Sequence, residues 1–394
     1  MSLPNVKITL GNGNIGTVNP SDDGVAALLL TGTAVEGKFA LNTPYVLSGA
    51  DGLQTLGITQ ANNPLIYKEV NAFYAEAGEG AELHILAVSE ATTLTAMVAD
   101  VADSPIRKLL DPAAGRIRLV GLNRTLPSGY EPTMNGCVDG DVQTAVAAAQ
   151  AVAEGYLAKI APVVILIPAM EWTGSTASIY QPREGSQNMV GVVLASDGKI
   201  GTTQSAAIGM ILGRAADIAV NVSIGRVADG SICASGAGFL MDGATPESHY
   251  AEWDALNDAG FIFFRTYIGK NGYYLNDDPT AIATTDDYCR LCLARVIQKA
   301  VVVCYKTYVD NILDNISVDP ETGKIPTAMS KYYESVLTRS INSNMEGEIS
   351  GITIYIDSDQ DLITTGKLNV VARVTPTALL REIEVNLAFN NPNA

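Results

Sequence analysis

Glycines and cysteines at fixed spacing are the first groups in this chain that could carry chemistry. Gly11, Gly13 and Gly16 follow an alternating segment and reproduce the G-x-G-x-x-G string. In a dinucleotide site the last of these glycines opens a helix whose amides face a pyrophosphate. Here the chain continues into Thr17, Val18, Asn19, Pro20 and Ser21, which is no helix, so a Gly/Asn-rich hinge is the better reading. Cys289 and Cys292 have C-x-x-C spacing inside a long helical pattern, with no second pair. A redox pair belongs at a helix start after a strand, and a structural zinc needs more ligands than this, so buried helical thiols are expected. His84 and His249 have no supporting spacing. There is no G-x-S-x-G, H-E-x-x-H or Walker loop. The acidic pairs Asp22/Asp23, Asp277/Asp278 and Asp286/Asp287 fall in turns or at helix starts, where carboxylates cap amides, and nothing singles out a pair for glycoside hydrolysis. The sequence supplies no catalytic residue, cofactor site or metal ligand set, and the reading is of a protein that is not an enzyme.

The elements around these residues are of more than one kind. Val6, Ile8 and Leu10 alternate with polar neighbours, the period of a half-buried strand, and Gly, Asn, Ser and Asp crowd the chain from there to Gly24. That strand is expected to be an arm on a tether. Strands are expected at residues 83–88 and 117–122, and residues 139–159 read as an Ala-rich helix opened by Asp139 and Asp141. Residues 162–168 and 189–195 are short apolar runs of the kind buried on both faces. Helices at residues 205–217 and 249–258 lead to a strand at residues 261–268, and this interleaving indicates an α/β layer.

Beyond it, residues 286–315 form a long helical pattern with one apolar row through Tyr288, Cys292, Val296, Ala300, Cys304, Tyr308 and Ile312 and another beside it. A further helix is expected at residues 327–344. Strand signals follow at Ile352, Ile354 and Ile356, at residues 368–374 (with Leu368, Val370 and Ala372), and at Ile383, Val385, Leu387 and Phe389. The fold class is therefore α/β and α+β: an outer mixed α/β domain at residues 19–259 and a C-terminal domain of long helices packed on a small β-sheet at residues 260–375. Extended strand arms flank them at residues 1–18 and 376–394.

Composition narrows the function classes. Of the 394 residues, 47% are apolar and 17% charged, so the chain folds rather than staying disordered. Its net charge of −17 argues against nucleic acid as a partner and favours solubility at high copy number. No apolar stretch approaches the roughly 20 residues of a membrane span. The opening Met1, Ser2, Leu3 and Pro4 carry no signal-like pattern, so folding in the bacterial cytoplasm is expected, in keeping with the five scattered cysteines. Strongly alternating strands at both termini can close their own sheet or add to a neighbour's, where main-chain bonds give affinity and alternate side chains give register.

Several segments, in order, carry a family resemblance. Leu3 to Ile8 resembles the N-terminal strand of contractile phage tail sheath proteins. So do Pro44 to Leu47 with Leu53 to Gly57, then Val70 to Gly78 ahead of an apolar strand. Phe261 to Gly272 is similar to the strand opening the sheath C-terminal domain, and the helix bearing Arg290 and Arg295 to its main helix. Thr375 to Val385 is similar to the sheath ending, a proline-bearing link into an alternating last strand. The resemblance, strong at the ends and loose in the centre, implies a near-minimal sheath subunit of a phage tail, prophage-derived particle or related contractile injection system. It implies a helical homopolymer of stacked rings around an inner tube protein, with baseplate and terminator proteins at the ends, no cofactor and no membrane insertion. The strands implied to be donated are Val6/Ile8/Leu10 and Ile383/Val385/Leu387/Phe389. The implied acceptor is the sheet of Ile352, Ile354, Ile356, Leu368, Val370 and Ala372, and the tube is implied to meet the helix bearing Lys331 and Arg339. The rivals are another tail component, such as a tube or baseplate protein, and an α/β hydrolase or transferase with an unrecognised site.

Overall fold

Runs such as Leu28 to Leu30 or Val164 to Ile167 have no polar face to turn toward water, so they are stable only between layers. In the computed structural model, which describes residues 22–233, 235–241 and 244–390, these runs form the middle of a seven-stranded sheet. Its strands are β1 (Ala26–Thr31), β2 (Pro44–Leu47), β3 (Leu83–Val88), β4 (Leu119–Asn123), β5 (Val164–Pro168), β6 (Val190–Val193) and β7 (Phe261–Ile262). They lie in the order β7-β6-β5-β4-β1-β3-β2, parallel except for β2, which runs antiparallel to β3. The strand order reverses between β1 and β4, and Leu28 lies between Ile85 and Gly121 in the registers on either side. The sequence reading passed over β1, an inner strand between β4 and β3, although its unbroken apolar run from Val25 to Leu30 is of the same kind as those at residues 162–168 and 189–195.

Helices α1 (Pro64–Ala77), α2 (Gly140–Leu157) and α3 (Ile208–Asp217) pack on this sheet. Asp139 caps α2 by accepting the Asp141 N–H at 3.0 Å, as its position before the Ala-rich run predicts. Helices α1 and α3 touch along Gly209 and Gly213. A Cβ at these positions would fall 2.1 Å from the Glu69 carbonyl oxygen and 2.4 Å from that of Phe73, so only glycine permits the approach. A smaller antiparallel sheet joins Ala195–Ile200 to Thr203–Ala206 and Gly238–Phe239.

Two compact units divide the chain, Met1–Lys306 and Thr307–Ala394. The sequence reading opened its C-terminal domain at residue 260. In the structure β7 is an edge strand of the large sheet, and Phe264–Arg265 turns away to pair with Tyr274–Leu275. The long helix is also shorter than its apolar pattern: α4 runs Leu291–Tyr308, then a tight turn Val309–Asn311 ends it. Leu313 beyond that turn is 97% exposed with a φ of +69°, outside any helix.

In the second unit, α5 (Thr327–Asn344) packs on β8 (Ile349–Tyr355), which pairs antiparallel with β9 (Val371–Pro376). Tyr333, Leu337, Ile341, Met345 and Ile356 are buried here. The α5 bounds coincide with the expected residues 327–344.

Candidate functional site

The hairpin β8–β9 is a sheet of two strands, so each keeps an outer edge of main-chain N–H and C=O groups. Its register sets Ile352 opposite Val374, Ile354 opposite Ala372 and Tyr355 opposite Val371. Ile352 and Ile354 are half-buried while Thr353 and Tyr355 face outward, the alternation expected of a strand with one packed face. Of the expected acceptor residues, Ile352, Ile354 and Ala372 lie in the hairpin. Ile356 lies just past β8, buried, its N–H donating to Glu334 Oε1 at 2.8 Å. The Lys331 ammonium, 2.6 Å from Oε2, and then the Ile356 amide hold the Glu334 carboxyl below its usual range.

Leu368 and Val370 precede β9, which begins at Val371 rather than Leu368. The Gln360 side chain accounts for the delay. Its Oε1 accepts the Asn369 N–H at 2.7 Å and its Nε2 donates to the Asn369 carbonyl at 3.0 Å, occupying the groups a ladder would use.

After Pro376 no further strand is formed among the described residues, although residues 383–389 are the cleanest alternation in the sequence. Ile383, Val385, Leu387 and Phe389 are 72%, 77%, 93% and 108% exposed. Apolar side chains thus stand in water at every second position along this segment. The N-terminal counterpart, Val6, Ile8 and Leu10, lies outside the described residues, as does the glycine string from Gly11 to Gly16. Lys331 and Arg339 are both exposed on α5. Lys331 is paired with Glu334, and Arg339 Nε donates to the Ser335 carbonyl of its own helix at 3.4 Å.

The candidates for chemistry are placed differently from the sequence reading in one respect. Cys289 precedes α4 and Cys292 stands in its first turn, so the C-x-x-C string is at a helix start and not within the helix. Yet burial and the Asp278 carboxylate push the Cys292 thiol far up, the reverse of an activated thiolate, and all five cysteines are free. His84 pairs with Glu82 at 2.8 Å, and His249 packs against the Trp172 ring at 4.9 Å, so the histidines sit in unrelated surroundings. A cavity of about 10 Å³ beside Leu166, Ile211, Asp278 and Cys292 is water-sized.

Sequence reasoning missed a buried polar knot at the point where the strand order reverses. Lys68 Nζ lies 2.5 Å from both Glu69 Oε1 and Asp197 Oδ1, and Asn123 Nδ2 donates to Glu69 Oε1 at 3.1 Å. The Gly209 N–H at the start of α3 also donates to Glu69. Burial pushes the Glu69 and Asp197 carboxyls up. The knot ties α1, α3 and the small antiparallel sheet together, and no periodicity announces it, because its members come from distant segments.

Residues 3–279 match the family described as DUF2586, N-terminal domain. The chain belongs to the DUF2586 family. Residues 287–394 of this DUF2586 chain match the family's C-terminal domain. None of the curated proteins matches it in sequence. Among solved structures, the DUF2586 chain is similar to a chain of the anti-feeding prophage helical sheath in its contracted state, at 13% identity and a TM-score of 0.64 over 98% of this chain and 99% of that one. It is similar to a chain of the PVC sheath complex of an extracellular contractile injection system, also contracted, at 12% identity and 0.61 over 100% and 99%. It is similar, too, to the sheath tail protein of Desulfitobacterium hafniense, at 10% identity and 0.51 over 95% and 100%. The DUF2586 chain thus has the fold of contractile sheath subunits along nearly its whole length.

Proposed function

We propose that this protein is the structural subunit of a contractile sheath, polymerising helically around an inner tube and contracting to drive the tube through a target envelope. The observation that carries this reading is the exposed alternating segment from Ile383 to Phe389, on a chain that also keeps a hairpin with open edges. A segment of that kind is stable when it adds to a sheet, and a contact from one copy's arm to the next copy's hairpin does not close on itself, so it builds a helix. On this reading Ile383, Val385, Leu387 and Phe389, with Val6, Ile8 and Leu10, are donated between copies, and the β8–β9 hairpin receives them. The exposed side of α5, with Lys331 and Arg339, meets the tube.

Such a machine needs no catalytic group. A gain of ~1–2 kcal/mol per subunit, the scale of one or two net hydrogen bonds, accumulates along a long polymer. Copies of the same chain, the inner tube protein, baseplate and terminator proteins are the partners, assembled in the bacterial cytoplasm; the anti-feeding prophage baseplate contains a chain of this fold. The test is negative-stain electron microscopy of the full chain, alone and with its tube protein, beside chains lacking residues 380–394 or residues 1–14. Tubes or stacked rings that vanish on truncation support the proposal. A full chain that stays monomeric with the tube protein present defeats it.

A further inference from the structure

Arg265 ends the strand Phe264–Arg265, opposite Tyr274. Its guanidinium carbon lies 4.4 Å from the Tyr267 ring centroid and 5.5 Å from that of Trp253. The aromatic strip continues at both ends, with Tyr250 at 4.9 Å from Trp253 and Tyr274 at 5.4 Å from Tyr267. Tyr250 and Ile268 stand exposed beside it. Several other arginines of the same unit have carboxylate partners, Arg107 with Asp100, Arg214 with Glu76 and Arg290 with Asp277, while Arg118 and Arg295 donate to backbone carbonyls. Among the described residues no carboxylate pairs with Arg265, and its Nε is removed from water without an acceptor.

Ring faces balance the charge through their quadrupoles but leave the N–H fork unused, and stacking holds that fork in one orientation. Trp, Tyr and Arg together, with apolar neighbours that exclude water, are the composition of an interface anchor. Tyr250 and Ile268, exposed beside the strip, give this surface the apolar rim of a protein contact. With 42 acidic against 25 basic residues, a second copy presents carboxylates widely. We propose that Arg265 anchors a further contact between copies of this chain, its guanidinium receiving a carboxylate from an acidic segment of the neighbouring copy. This rests on the sheath reading and adds to it a contact made by the first unit, separate from the terminal arms.

The experiment compares the full chain with Arg265→Gln and Arg265→Lys by sedimentation velocity and electron microscopy, after circular dichroism and a thermal melt establish that all are folded. The critical concentration for assembly is expected to rise about tenfold in Arg265→Gln, and nearly as much in Arg265→Lys, because an ammonium cannot reproduce the stacked fork. Variants that assemble at the wild-type concentration, while loss of residues 380–394 still abolishes assembly, overturn this contact and leave the sheath reading standing. Full recovery by lysine overturns the stacked-fork assignment. A wild-type chain that never assembles defeats both.

Discussion

Asp278 is fully buried, its carbonyl accepts the Leu291 N–H at 2.8 Å and its Oδ2 accepts the Cys292 N–H at 3.1 Å, so one residue holds the start of α4. Burial, then the neighbouring Asp277 charge, push its carboxyl up to about 6. The folded chain thus keeps a proton that the unfolded chain releases from roughly pH 4 upward, and this group's contribution to stability falls as pH rises to about 6. Asp278→Asn keeps an oxygen for the Cys292 amide and removes the titration. Urea denaturation of both proteins from about pH 4 to about pH 7 should show the wild type losing ground to the variant as pH rises. A difference independent of pH counts against this account. The same surroundings make the Cys292 thiol inert: iodoacetamide at neutral pH should label the partly exposed Cys137 first, read by peptide mass spectrometry, and early labelling of Cys292 would contradict the burial. At this scale the sequence was legible by exclusion. It identified the C-x-x-C string as unsupported, but not the helix-start position or the carboxylate that silences it.

Between elements, the contact of α1 with α3 depends on the missing side chains of Gly209 and Gly213. Gly213→Ala should cost about 2–4 kcal/mol, because a methyl group cannot share space with the Phe73 carbonyl and both helices must separate. Its denaturation midpoint in urea checks this, and a midpoint equal to wild type would mean that the helices sit farther apart. The terminal arm predicts the opposite behaviour. Val385→Lys with Leu387→Lys alters side chains that are exposed in the isolated chain, so the melting temperature should hold while polymers disappear from electron micrographs. A large drop in melting temperature would mean that the arm packs on its own chain. The arm's period reads as a strand, although no strand forms there among the described residues; α5 was readable from its amphipathic pattern. The start of β9 was not, because the Gln360 clamp on Asn369 lies between residues that no local pattern connects.

For the whole molecule, the units Met1–Lys306 and Thr307–Ala394 set the expectation for proteolysis. Brief digestion of unassembled chain should trim the exposed segment after Pro376 and otherwise cut in the exposed stretch of residues 312–322, identified by N-terminal sequencing and mass spectrometry, while early cuts within the seven-stranded sheet would count against the division. The sequence by itself determined the class of the protein. Its acidic charge, its interleaved strand and helix patterns and its alternating ends are local or summed properties, which a chain carries before it folds. Tertiary structure alone decided that Ala26–Thr31 is an inner strand of the sheet, that Phe261–Ile262 belongs to that sheet and not to the C-terminal unit, and that Arg265 stands among rings with no carboxylate partner among the described residues. These are contacts between residues far apart in the chain, and burial on every side erases the periodicity by which a sequence announces where its elements go.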